Sequence, residues 1–264
     1  METDNLSRTV LTPDRTKWGL RLLSFAAFAI LWELSARALN SLLMPTFTDT
    51  MVALAHLLLT PALWDALWVS NQAMVVGFAV AAIVGIPAGF LMARWRAAEQ
   101  FINPYLNILL VTPMSALIPI MIMATGLGIV TRVFIVFSFT VVVLIVNTRT
   151  GLRTVDPTWI EMARSFGANE WQLWRKILLH GALPAILTGL RLGMARAISG
   201  MLFVELLLLA LGLGRLILDF QGTFESASLY ATVLVIVCEA VALMQVFKWF
   251  EYRAAPWTGQ VAVE

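Results

Sequence analysis

The chain has 264 residues, 60% of them apolar and only 13% charged, with a net charge of +2. Soluble domains are roughly 45–50% apolar, so a water-soluble globule of this length has too little interior to hide these side chains. The isoelectric point near 9.0 does not imply nucleic-acid binding, because the basic residues fall in short segments between apolar runs. The single cysteine, Cys238, lies inside an apolar run, which excludes an intrachain disulfide framework and a thiolate metal cluster.

Several apolar runs approach about 20 residues, the length of a membrane-crossing helix. They are continuous rather than alternating, which disfavours a β-barrel. The expected fold class is therefore all-α, a polytopic membrane protein with six transmembrane helices. We expect a short N-terminal tail over 1–17, a membrane domain over 18–250 and a C-terminal tail over 251–264.

The first span runs to about Leu39. Its charged start and apolar stretch also have the outline of a signal peptide, but Glu33 interrupts the run, and the topology below needs this span retained. Residues 40–68 contain no Lys or Arg, and Met51 to Leu59 reads as a short interfacial helix, with Trp64 and Trp68 at belt positions. The second span, about Val69 to Ala93, carries Ala73, Gly77, Ala81, Gly85, Gly89 and Ala93 at every fourth position. Such a ridge lets a neighbouring backbone approach closely. Pro87 is positioned to bend this helix. The third span, about Pro104 to Thr125, contains Pro113 and Pro119 and is expected to be broken, a form tolerated where it lines a cavity or is buried in protein. A fourth span follows from Ile129 to Asn147. The fifth, about Ala185 to Leu209, continues a second ridge of Gly181, Ala185, Gly189, Gly193 and Ala197, and the two ridges imply tightly packed inner helices. Residues 211–229 read as an amphiphilic loop with a glycine turn, and the last span covers Tyr230 to Phe250.

Between spans four and five lies the longest polar segment, 156–184. Asp156 before Pro157 is a helix start, since proline has no amide hydrogen to leave unsatisfied in the first turn. Gly167 can adopt the left-handed conformation that ends that helix. Asn169 followed by Gln172 is a capping box that opens a second helix. Trp159, Ile160, Phe166, Trp171 and Trp174 give this helix-turn-helix an apolar surface. Glu161, Arg164, Glu170, Arg175 and Lys176 keep it out of the bilayer core.

Basic residues orient the chain. Four lie before or at the start of span one, two between spans two and three, five between spans four and five and two after span six, thirteen in all. The opposite side holds only Arg37, Arg132 and Arg215. Both termini and the 156–184 segment are therefore expected in the cytoplasm. The chain's only lysines, Lys17, Lys176 and Lys248, follow no glycine-rich loop, so it cannot hold ATP in the P-loop manner.

Segment 156–184 resembles the coupling loop of the inner-membrane permease subunits of ATP-binding-cassette importers, in the branch that includes sulfonate, taurine and nitrate permeases. The family motif is Glu-Ala-Ala, three residues, Gly, nine residues, Ile, any residue, Leu-Pro. Glu161, Met162, Ala163, Gly167 and Ile177 keep its register, and the likeness continues through 147–157 and 183–192. Met162 replaces the first Ala, and His180 stands where the branch has the motif's Pro. The resemblance implies that Glu161, Met162, Ala163, Arg164, Ser165, Gly167, Ala168, Asn169 and Trp171 dock on a cytoplasmic ATPase dimer. It also implies a periplasmic solute-binding protein on the outer face and a second permease copy, a homodimer being the simpler arrangement and a paralogous heterodimer the other. No cofactor is expected on this chain; ATP would belong to the partner. The cell location implied is the bacterial inner membrane, with lipid around the spans.

Ionisable residues inside the spans are the candidate translocation path: Arg191, Arg196, Glu205 and Glu239, with Glu33 in span one. An anionic solute such as a sulfonate, nitrate or taurine would suit the arginines. They can equally pair with carboxylates or carbonyl groups to hold helices together, and Glu239 can be a buried hydrogen-bonded group. His56 and His180 fall on opposite sides of the membrane, so no shared metal site is expected. An ion-coupled secondary transporter or an intramembrane enzyme is the competing class. A proton-coupled carrier could use Glu239 and Arg196, but has no need of a doubly capped cytoplasmic helix-turn-helix.

Overall fold

The structure, a computed structural model, describes residues 14–209 and 211–254. Most of the expected tails at 1–17 and 251–264 lies outside the described residues, and the terminal helices run past both expected boundaries. Among the described residues every regular element is helical: α1 (Asp14–Leu39), α2 (Phe47–Leu58), α3 (Pro61–Arg94), α4 (Arg96–Val111), α5 (Met114–Thr125) and α6 (Ile129–Arg153), then α7 (Pro157–Ser165) and α8 (Glu170–Gln172). A π-helical segment, Leu173–Leu178, joins α8 to α9 (Leu179–Val204), and a second, Glu205–Leu209, ends α9 before α10 (Gly212–Gly222) and α11 (Ser226–Ala254). Five of these stretches are long and apolar enough to cross a membrane, and the bent pair α4–α5 makes a sixth when counted as one span.

The two small-residue ridges do not mesh with each other; both close on α6. A Cβ at Gly77 would stand 2.7 Å from Val136, one at Gly85 2.9 Å from Leu144 and one at Gly89 2.7 Å from the Ile145 carbonyl. On the other side, a Cβ at Gly189 would stand 2.7 Å from Asn147 and one at Gly193 3.3 Å from Thr140. The α6 helix is thus held between α3 and α9 at backbone contact, and 56% of its most apolar stretch is buried against 6% for α1. Lipid is as apolar as leucine, so packing of this kind rather than hydrophobic burial holds membrane helices together. The outlying α1 is attached through Trp32, whose Nε1 donates to the Pro45 carbonyl at 3.0 Å.

Element bounds differ from the sequence reading in instructive ways. The second span begins at Pro61, because proline opens a helix as readily as it interrupts one. The third begins at Arg96 and breaks at Thr112–Pro113, where the axis turns by 104°. Pro119 and Pro87 stay inside their helices. The fifth span has no separate start at Ala185: α8, the π segment and α9 run on through His180, as a chain without the motif proline can. The expected 211–229 loop is mostly the α10 helix. Leu216, Ile217 and Phe220 pack with buried Leu213 into the main core cluster. That is an i, i+3, i+4, i+7 stripe masked by the Leu-Gly-Leu-Gly start.

The ridge geometry is testable. Gly77→Ala forces a methyl against Val136 and the Val133 carbonyl, and is expected to lower the stability of the detergent-purified chain by about 1–3 kcal/mol. Gly222→Ala, where a Cβ meets nothing within 4 Å, serves as the neutral control in the same thermal-melt measurement.

Candidate functional site

The loop between α6 and α9 is built as its residues require. Asp156 accepts the Thr158 amide at 2.8 Å, and that bond holds its carboxyl below the usual carboxylate range. With a lowered folded pKa, this cap's contribution is present at neutral pH and is lost as pH falls through that lowered value. Gly167, at φ +76°, ends α7, and the Ala168 amide closes the turn on the Ala163 carbonyl at 3.0 Å. The Asn169 carboxamide oxygen accepts the Gln172 amide at 2.8 Å, and the Gln172 side chain accepts the Asn169 amide at 3.0 Å.

One face of this unit is bound to the membrane domain. Ala163 is buried with Leu152, Val155, Leu173 and Ala182. Trp174 packs on Phe90 with ring centroids 4.8 Å apart, and the Arg94 guanidinium lies 5.2 Å from the Trp174 ring. Glu170 ties the two sides through Arg164 at 3.2 Å and Arg94 at 3.5 Å. Nearby, Glu99 at the start of α4 pairs with both Arg149 and Arg153 at the end of α6. The other face is open: Phe166 is 85% exposed and Trp171 70%, with Trp159, Met162, Glu161 and Ser165 exposed beside them. Phe166, which the motif does not single out, is the most exposed aromatic of the loop; its place directly before the turn glycine is the signal for it.

A second polar cluster lies between α3, α6, α10 and the Glu205–Leu209 segment. Glu205 is 0% exposed, and both its oxygens lie 2.8 Å from Ser70 Oγ. It also accepts the Gly214 amide at 3.2 Å, while the Leu213 amide donates to Ser70 Oγ at 3.0 Å. Arg132, 7% exposed, donates to the Val69 carbonyl at 3.0 Å and lies 3.8 Å from Glu205. Arg132 is therefore not a loop charge; it is the buried counterion of Glu205. No local signal joins two residues this far apart in sequence.

The remaining candidates are dispersed. Arg191 lies 3.4 Å from Glu251, which also accepts from Thr188 at 3.2 Å. Glu239 accepts from Asn71 beside an apolar groove lined by Trp64, Trp68 and Cys238. Glu33 holds Arg37 at 2.6 Å and the Thr48 amide at 3.1 Å. Arg196 alone of the four path candidates is exposed, and it lines a cavity of about 330 Å³ with Thr112 and Ser115 of the α4–α5 break and Phe139 of α6.

A broken membrane span, a tightly packed three-helix centre and a capped polar loop with an open aromatic face describe a multi-pass membrane protein with a polar loop held outside its spans. Residues 85–259 match the family described as "Binding-protein-dependent transport system inner membrane component", and the chain belongs to it. It is 27% identical over 242 residues to a probable ABC transporter permease protein of Brucella melitensis, covering 92% of this chain and 98% of that one. It is 27% identical to the taurine transport system permease protein of Escherichia coli, over 75% of this chain and 72% of the relative. A glycine betaine/carnitine/choline transport system permease protein of Bacillus subtilis is 30% identical, over 69% and 80%. The fold is that of a chain of the MetNI methionine ABC transporter in an inward-facing conformation, with a TM-score of 0.56 and 18% identity, covering 74% of this chain and 93% of that one. The chain is thus an ABC importer permease subunit.

Two stability measurements follow. Asn169→Ala removes the capping box and is expected to cost about 1 kcal/mol, read as faster amide exchange confined to 169–176. Glu205→Ala or Arg132→Ala leaves a buried charge alone and should cost about 3–5 kcal/mol. The pair Glu205→Ala with Arg132→Ala should cost less than the two single losses added, in a thermal-melt double-mutant cycle.

Proposed function

We propose that 156–184 is the surface through which a cytoplasmic ATPase dimer drives this permease, with both termini on the same cytoplasmic side of a bacterial inner membrane. The observation that carries the reading is the pair of exposed aromatics, Phe166 and Trp171, on a loop whose backbone is capped at both helices. Exposed aromatics on a rigid frame are the residues that dominate protein interfaces. The basic residues, thirteen against two once Arg132 is set aside as a buried counterion, support a cytoplasmic loop. Glu161, Met162, Arg164, Ser165 and Trp171 form the contact face. Ala163 is buried beneath it, and Gly167, Ala168 and Asn169 set the turn that shapes it. ATP is bound by the partner, not by this chain.

Transport is then alternating access. A binding protein delivers solute at the outer ends of α2 and α10, and ATPase closure shifts two permease copies, taken as a homodimer, between outward-open and inward-open packings. The solute is a small anion, in keeping with an exposed intramembrane arginine.

Trp171→Ala and Phe166→Ala should each weaken copurification of the ATPase about thirtyfold, the loss typical of an interface hot spot, with unchanged yield of the permease. Gly167→Pro, which cannot adopt the left-handed turn, should abolish solute-stimulated ATP turnover. Retention of the complex and of stimulated turnover in all three variants would rule out this surface as the coupling contact.

A further inference from the structure

We propose that Arg196 makes the cleft at the α4–α5 break an anion-selective solute site, taking a small organic anion whose apolar body rests on Phe139, Phe203 and Met114. The proposal rests on the transport reading above and names the solute class at one place along the path.

Arg196 lies well inside the span Glu170–Leu207, on a face of α9 that also exposes Leu192 and Phe203. An arginine at that depth is costly unless it meets water, a counterion or a ligand. Among the described residues no carboxylate pairs with Arg196, and the membrane carboxylates have partners of their own, Glu239 at one oxygen only. Glu33 is held by Arg37 and the Thr48 amide, Glu205 by Ser70 and the Gly214 amide, Glu239 by Asn71, and Glu251 by Thr188 and Arg191. The other described carboxylates lie near helix ends or between spans. Glu239, whose Oε2 has no partner, lines a different groove, with Trp64, Trp68 and Cys238. Within the described chain the counter-charge of Arg196 is therefore left to a mobile anion.

The cavity fits that role. Its volume is about 330 Å³, and its wall combines Arg196, Thr112 and Ser115 with apolar side chains. The Thr112 hydroxyl is committed to the Ile108 carbonyl at 2.7 Å, whereas Met114 and Ser115, in the first turn of α5 without a side-chain cap, line the same cavity as the guanidinium. Arg191, neutralised by Glu251, does not share the site.

The test uses Ser115→Cys, and Thr112→Cys as a second position, in a Cys238→Ser background, in open membrane fragments holding the full chain with its ATPase. The thiol is labelled with methanethiosulfonate reagents carrying either an ethylsulfonate or an ethyltrimethylammonium group. Relative to a free thiol in solution, the sulfonate reagent should react roughly tenfold faster than the cationic one, as expected for a charge a few ångströms away in a partly screened site. Adding Arg196→Gln should bring the ratio towards one, and Arg196→Lys should keep it. Labelling of neither position by either reagent, or a ratio unmoved by Arg196→Gln, overturns the proposal. The readout needs no ATP turnover, so a failure here with coupling intact at Phe166 and Trp171 sinks the anion site alone, and the reverse result sinks the coupling surface alone.

Discussion

The structure depends on α6 lying at backbone distance from two helices at once. In lipid there is little free energy to gain from burying leucine against leucine, so close packing must come from shape. Gly77, Gly85 and Gly89 on one side and Gly189 and Gly193 on the other leave no room for a Cβ against α6. With the three helices fixed, the ends of α6 become reference points. Its beginning carries Arg132 into the buried cluster with Glu205, and its end carries Arg149 and Arg153 to Glu99.

Those end points give the 156–184 loop its geometry. The loop leaves α6 directly, returns through α8 into α9 and is pinned to the end of α3 by Trp174, Arg94 and Glu170. The loop is thus joined to each of the three central helices. At the opposite end, the Glu205 cluster joins α3, α6 and α10 through hydrogen bonds that replace water in a low-dielectric interior. A rigid centre with tied ends suits a subunit that moves as a body between two packings rather than by local unfolding.

The 156–184 loop was legible because its devices are local. Asp156-Pro157, Gly167 and Asn169 with Gln172 act over a few residues, so their pattern in sequence is already their geometry in space. Small residues at every fourth position were equally legible as close-packing surfaces, since one helix face is a property of spacing alone. The partner of those surfaces was not. Nothing on α3 or α9 says that both turn toward α6, because α6 presents ordinary Val, Leu, Thr and Asn to them. The α10 helix was misread as a loop for a different reason: its two opening glycines give a turn signal that outweighs a stripe of only four apolar residues.

Charge behaved in the same way. The sequence alone determined the membrane class, the six apolar stretches and both ends of the 156–184 loop, because each depends on composition or on spacing within one element. Only the tertiary structure decided that Arg132 and Glu205 form one buried cluster, that Arg191 is matched by Glu251 and that Arg196 is left facing a cavity. A charge's role depends on what stands opposite it, and for these residues the opposite group comes from another helix, brought near by the packing of glycine against α6.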